Sequence, residues 1–148
     1  MHPSNRRFRA LKQLRRLALL CLAALTVLSC TDGVTGPSDV VGGEWRLESM
    51  RLAGGTSTFV PEQPGRFTVE FKTDGFIGVR ADCNSCGGGY SLSGDQLTIP
   101  SMACTLALCA TPQGGEFANL IEGVSRVEKD GEGRLTIVSP DGTITLVR

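Results

Sequence analysis

Phe67-Thr68-Val69-Glu70-Phe71-Lys72-Thr73-Asp74-Gly75-Phe76-Ile77 is the stretch whose reading decides the fold. Phe67, Val69 and Phe71 alternate with Thr68 and Glu70, a period of two that places one face of a strand in a core and the other in water. Asp74-Gly75 then separates this run from a second one, and Asp-Gly is a strong hairpin signal because the turn needs residues that tolerate positive φ. The same alternation recurs at Trp45 and Leu47, at Leu97 and Ile99, and at Ile144 and Leu146. Asp141-Gly142 repeats the hairpin signal, and Ser93-Gly94-Asp95 predicts a third turn. Short hairpins join antiparallel strands, so the sheet is antiparallel.

One segment departs from the period of two. Phe117, Leu120, Ile121 and Val124 fall at i, i+3, i+4 and i+7, the spacing of an amphipathic helix of about three turns. Thr111-Pro112 offers a capping residue and a first-turn proline, while Gly114 and Gly115 predict a delayed start. The expected architecture is mainly β (α+β): a curled antiparallel sheet or open barrel of about seven or eight strands, with one helix packed over an open end.

Upstream the composition changes. Arg6, Arg7, Arg9, Lys12, Arg15 and Arg16 precede an apolar run from Leu17 to Leu28, and Ser29 stands at a cleavage position, so residues 1–29 read as a secretory signal. That run is shorter than the roughly 20 residues a membrane-crossing helix needs. Val27-Leu28-Ser29-Cys30 resembles a bacterial lipobox, which predicts lipid on the Cys30 thiol and a chain held at a membrane surface. Thr31 lacks the aspartate that retains such lipoproteins on the inner membrane, which implies the periplasmic face of an outer membrane in a diderm cell. Residues 30–43, rich in Gly, Ser, Pro and Asp, read as a flexible tether, and residues 44–148 as the domain.

The formal charge of the whole chain is zero, with 15 basic and 15 acidic residues. Removal of residues 1–29 takes six basic residues and no acidic one, which leaves 9 against 15 and a net charge of −6. An acidic domain without a basic stripe excludes nucleic acid as a partner. The single histidine, His2, lies in the leader, so the exported domain has no imidazole for a triad, a proton shuttle or a metal site. Asp74 and Asp141 are explained as turn residues, Ser101 has no base beside it, and no carboxylate pair is spaced for acid–base work. These absences predict a protein that is not an enzyme and needs no cofactor.

Of six cysteines, Cys21 leaves with the leader and Cys30 takes lipid. Cys83, Cys86, Cys104 and Cys109 remain, an even set that in an exported domain predicts disulfides. Three pairings are open, and the one expected here links Cys83 to Cys104 and Cys86 to Cys109. Four thiolates at C-x2-C and C-x4-C spacing could instead hold zinc, and Cys83-Asn84-Ser85-Cys86 could be a redox motif. An oxidising compartment argues against the metal, and the missing strand-to-helix setting against redox chemistry. Gly87-Gly88-Gly89 reads as part of a tight turn, not a phosphate loop, since no lysine-bearing motif follows.

Glu44-Trp45-Arg46-Leu47, then Asp82-Cys83-Asn84 leading through glycines to Gly89-Tyr90, then Ser101-Met102-Ala103-Cys104 and a helix with Glu116 and Phe117, form an ordered succession. It resembles the META domain of HslJ-like heat-shock and envelope lipoproteins, over roughly residues 43–148. The resemblance implies a β-rich fold with a helix, no catalytic activity, and an association with stress at the cell envelope. Cys86 and Cys109 stand beside the two cysteine positions usual in that family. Trp45, Asn84 and Tyr90 are the candidate pocket or interface residues. The expected role is a non-enzymatic envelope lipoprotein that binds a protein partner or supports envelope integrity under stress. The alternative is a binder of a small apolar ligand at the open end of the barrel.

Overall fold

A computed structural model describes residues 40–148; the leader, Cys30 and most of the expected tether lie outside the described residues. Ten strands form one antiparallel sheet: β1 (Glu44–Leu52), β2 (Phe67–Phe71), β3 (Phe76–Ala81), β4 (Asn84–Gly89), β5 (Ser91–Ser93), β6 (Gln96–Ile99), β7 (Ala103–Cys104), β8 (Gly123–Lys129), β9 (Leu135–Ser139) and β10 (Gly142–Val147). Their order is β5-β6-β8-β9-β10-β1-β2-β3-β4-β7, so the short β5 and β7 are the edges. One helix, α1 (Gln113–Ile121), lies between β7 and β8 in the chain. The class is as expected, and the strand number exceeds seven or eight because the two edge strands have only three and two residues.

The alternating positions all point inward. Trp45, Leu47, Val69, Phe71, Ile77, Leu97, Ile99, Val127, Leu135, Ile137, Ile144 and Leu146 have no exposed surface. Phe117, Leu120 and Ile121 of α1 complete this core, and Phe67 meets Phe117 edge-on at 5.7 Å between ring centroids. The helix lies over the end of the sheet where β3 stops and β10 starts. A Cβ at Gly114 would strike the Ala81 carbonyl at 2.7 Å, and one at Gly142 would strike the Arg51 carbonyl and the Leu120 side chain.

The Asp74-Gly75 hairpin forms as read. Lys72 N–H donates to the Phe76 carbonyl across the loop, Gly75 takes φ +81°, and the Asp74 side chain accepts from Phe76 N–H at 3.0 Å. At the other Asp-Gly pair the register differs. Gly142 pairs with Ser139, so Pro140 and Asp141 form the turn and Gly142 is already strand.

Three readings need correction. The Gly-rich run is not a turn but strand β4, paired with β3 from Phe76↔Gly89 to Ala81↔Asn84. Glycine's low strand propensity hides it, and its reason is close approach: a Cβ at Gly87 would strike the Phe76 ring at 2.7 Å. The helix starts at Gln113, so the two glycines do not delay it, and it stops at Ile121. Glu122 is extended, Gly123 takes φ +99°, and Val124 passes to β8 opposite Thr98, where it is exposed. Finally, order begins before Glu44. Val40 is fully buried, Trp45 Nε1 donates to its carbonyl at 2.8 Å, and Gly42 N–H donates to Phe71.

Ser125 Oγ, on β8, is buried without a hydrogen-bond partner among the described residues. Gly142→Ala should destabilise the domain by about 1–3 kcal/mol or more, because β10 must move off β1 or α1 must shift. Urea titration checks this, and a variant within experimental error of the parent would contradict the close packing described.

Candidate functional site

The site builds up from the β3–β4 hairpin. Ala81 pairs with Asn84, so Asp82 and Cys83 are its two turn residues, and Asp82 takes φ +60°, a left-handed conformation that Asp tolerates better than most. Its side chain is 7 % exposed and pairs with Arg66 at 2.6 Å, while its N–H donates to the Arg66 carbonyl. A buried carboxylate left without that guanidinium would be costly. The pair stands at the edge of a cleft of about 410 Å³ that Phe59, Pro61, Phe67, Thr111 and Gln113 also line.

Beyond the hairpin, β4 pairs with β7, Cys86 lying opposite Cys104. Here the disulfides differ from the expected pairing: the bonds join Cys83 to Cys109 and Cys86 to Cys104. The reason is the strand direction. In an antiparallel pair a step backward from Cys86 is a step forward from Cys104, so Cys83 meets the later cysteine and the two bridges nest. Cα separations are 5.6 Å and 4.0 Å. Asp82, Cys83 and Cys109 bring ligand-type atoms within 4.8 Å of one another, but the two sulfurs are bonded together and offer no thiolate.

Asn84 carries the rest of the arrangement. Its Nδ2 donates to the Ala107 carbonyl at 3.1 Å, and its Oδ1 accepts from Ala107 N–H at 2.8 Å and from the Thr105 hydroxyl at 3.0 Å. One side-chain amide thus replaces a strand residue, holding Ala107 by both main-chain groups. Thr105 N–H donates to Ser85, whose own N–H donates to the Thr105 hydroxyl. With the main chain of Ala107 held by Asn84, the flanking Leu106 and Leu108 face solvent at 96 % and 103 % relative exposure. A pair of fully exposed leucines on a cross-linked segment is unusual for a domain with a filled core.

The three candidate residues are not brought together. Trp45 is core, with Arg148 over its ring at 4.5 Å. Tyr90 packs edge-on against Phe71 and donates its hydroxyl to the Lys72 carbonyl at 2.7 Å, which ties the Asp74-Gly75 hairpin to β4. Desolvation, and then the Asp74 charge, hold its phenol above the ordinary pKa. Both lie at the end where the chain enters the domain, and Asn84 lies at the other. Sequence reading missed Leu106 and Leu108. The signal available was two leucines spaced by one between cysteines, within a span from Gln96 to Gly115 that carries no charge.

An antiparallel sheet curled around its core, closed by one helix and cross-linked at one edge, defines a small α+β half-barrel domain. The chain belongs to the META domain family, whose model matches residues 38–148. Two solved structures share the fold. One, determined by NMR, aligns with a TM-score of 0.59 at 24 % identity, over 76 % of this chain and 94 % of its own. Another, an NMR structure of a protein from Burkholderia xenovorans, aligns with a TM-score of 0.60 at 18 % identity, over 80 % of this chain and 91 % of its own. No protein of curated function matches the sequence significantly.

Cys83→Ser/Cys109→Ser and Cys86→Ser/Cys104→Ser should each leave no free thiol in the domain, since the untouched pair still closes. Cys83→Ser/Cys104→Ser should leave two reactive thiols by alkylation and mass spectrometry. The reverse pattern would restore the expected pairing.

Proposed function

We propose that this META-domain protein is a non-enzymatic, lipid-anchored protein of the cell envelope that binds a protein partner, in support of envelope integrity under stress. One observation carries the reading: Leu106 and Leu108 are held in water by two disulfides and the Asn84 amide. Exposure that covalent bonds maintain is more economically explained by a partner than by packing. The entry end of the domain, at Val40 and Gly42, lies beside Phe71, and the leucines lie near Asn84 at the far end of β3. Six strand residues separate these ends by roughly 20 Å.

A small apolar ligand is the second reading, favoured by a groove of about 440 Å³ lined by Leu47, Val60, Pro61 and Val147. It lies beside the connection between β1 and β2, whereas the end near β3 and β10 is covered by α1, so the ligand would sit outside the half-barrel.

Cys30→Ser should move the protein from the membrane to the soluble fraction of cells, and unchanged fractionation would refute the lipid anchor. A photo-reactive residue at Leu108 should cross-link in cells to a defined envelope protein. A photo-reactive residue at Glu132, on a distant exposed loop, should not. Equal yields from both positions would remove the leucines from the interface.

A further inference from the structure

The main chain of the leucine segment has a second property. Thr105 and Ala107 direct their N–H groups toward β4 and Asn84, and Ala107 its carbonyl too. The residues between them must face the opposite way, and neither Leu106 nor Leu108 makes a main-chain hydrogen bond among the described residues. β7 is the last strand of the sheet, so these groups extend an open edge. Natural edges are commonly blunted by lysine, proline or a charged residue. From Ser101 to Thr111 this chain has none of them.

We propose that the segment Cys104–Leu108 is a strand-addition edge, which takes an extended, uncharged, apolar segment of a partner protein into main-chain register beside β7. The proposal rests on the partner-binding reading and specifies its mode. Free N–H and C=O groups at alternate residues provide the ladder, and Leu106 and Leu108 provide the side-chain contacts. The two disulfides and Asn84 hold the edge extended, which lowers the ordering cost of binding.

Other occupants fit less well. Two leucines offer on the order of 200 Å² of apolar surface, against about 800 Å² per partner in a standard interface, too little for a stable pair of folded copies. A net negative charge on each domain adds repulsion to that pairing. A membrane would use the side chains and leave the edge groups buried without partners. An added strand satisfies both sets.

The probe is a capped synthetic peptide in which leucine alternates with threonine, with a lysine at each end, titrated into the oxidised domain and followed by NMR. Saturable shifts at the amides of Leu106 and Leu108, with slowed hydrogen exchange at both, are the expected result. N-methylation of the peptide leucines retains charge and side chains but removes donors, and should weaken binding by about tenfold or more. Leu106→Pro removes an N–H that the folded domain does not use, so binding should be lost with the fold intact. Leu106→Ser should weaken binding while the amide shifts persist. Binding that survives both N-methylation and Leu106→Pro would overturn strand addition. So would partition onto phosphatidylcholine vesicles without peptide binding, or self-association that Leu106→Pro abolishes. If the Leu108 cross-link still forms in any of those cases, partner binding stands and only its mode fails.

Discussion

A single sheet with one dry face is the constraint on which the rest of this domain depends. Ten strands laid flat would expose one edge of their apolar face at each end and leave that face half covered. Curling brings Trp45, Phe71, Ile77, Leu97 and Ile144 toward a common interior, and α1 fills the remaining opening with Phe117, Leu120 and Ile121. The glycines that matter stand where elements meet too closely for a side chain: Gly114 where the helix starts over Ala81, and Gly142 where β10 starts beneath Leu120. These contacts hold the helix against the strand ends, and β3 continues directly into the Asp82 turn. The site geometry is thus inherited from how the sheet is closed.

The cross-linked edge answers a different difficulty. β7 contributes two residues to the sheet, too few for a ladder that would hold by itself. Each bridge spans a chain separation of 26 or 18 residues, which in the chain-entropy model provides on the order of 3 kcal/mol. Covalent closure here substitutes for a longer strand, and it lets the segment after Cys104 leave the core without fraying. Asn84 then takes the place of one further strand residue. Together they hold an extended segment whose apolar side chains contribute nothing to the core.

Period and turn chemistry made the sheet legible, since Phe67, Val69 and Phe71 could satisfy their alternation in only one way. What was hidden follows from glycine and from geometry. Gly87, Gly88 and Gly89 carry a turn-like composition, but β4 requires the first two because Phe76, Ser101 and Met102 pass too close for a Cβ. The cysteines were legible as a set and not as pairs, because pairing depends on strand direction, and β7 was too short to announce itself. Val124 fitted the helical period by coincidence of spacing. The sequence around Glu122-Gly123 permits an extended exit, and β6 needs a partner, so the sheet claims the residue. Asn84 was singled out as a candidate pocket or interface residue, yet its amide works as part of a ladder across to Ala107.

Charge is distributed in keeping with this division of labour. Acidic and basic residues alternate with the core along β1, β2 and β8, on the wet face of the sheet, and ion pairs such as Arg134 with Asp130 are exposed. Exposed pairs of that kind contribute little to stability, so the charges there serve mainly solubility. Between Asp95 and Glu116 the chain carries no charge, and that span includes the edge strand and both exposed leucines. A surface that must shed water on contact is cheaper to desolvate without charges. An edge meant only to resist aggregation would have been given one. Leaving Leu106 and Leu108 exposed, uncharged and covalently fixed is therefore a feature that the stability of the fold does not require, and it is the one on which the proposed partner binding rests.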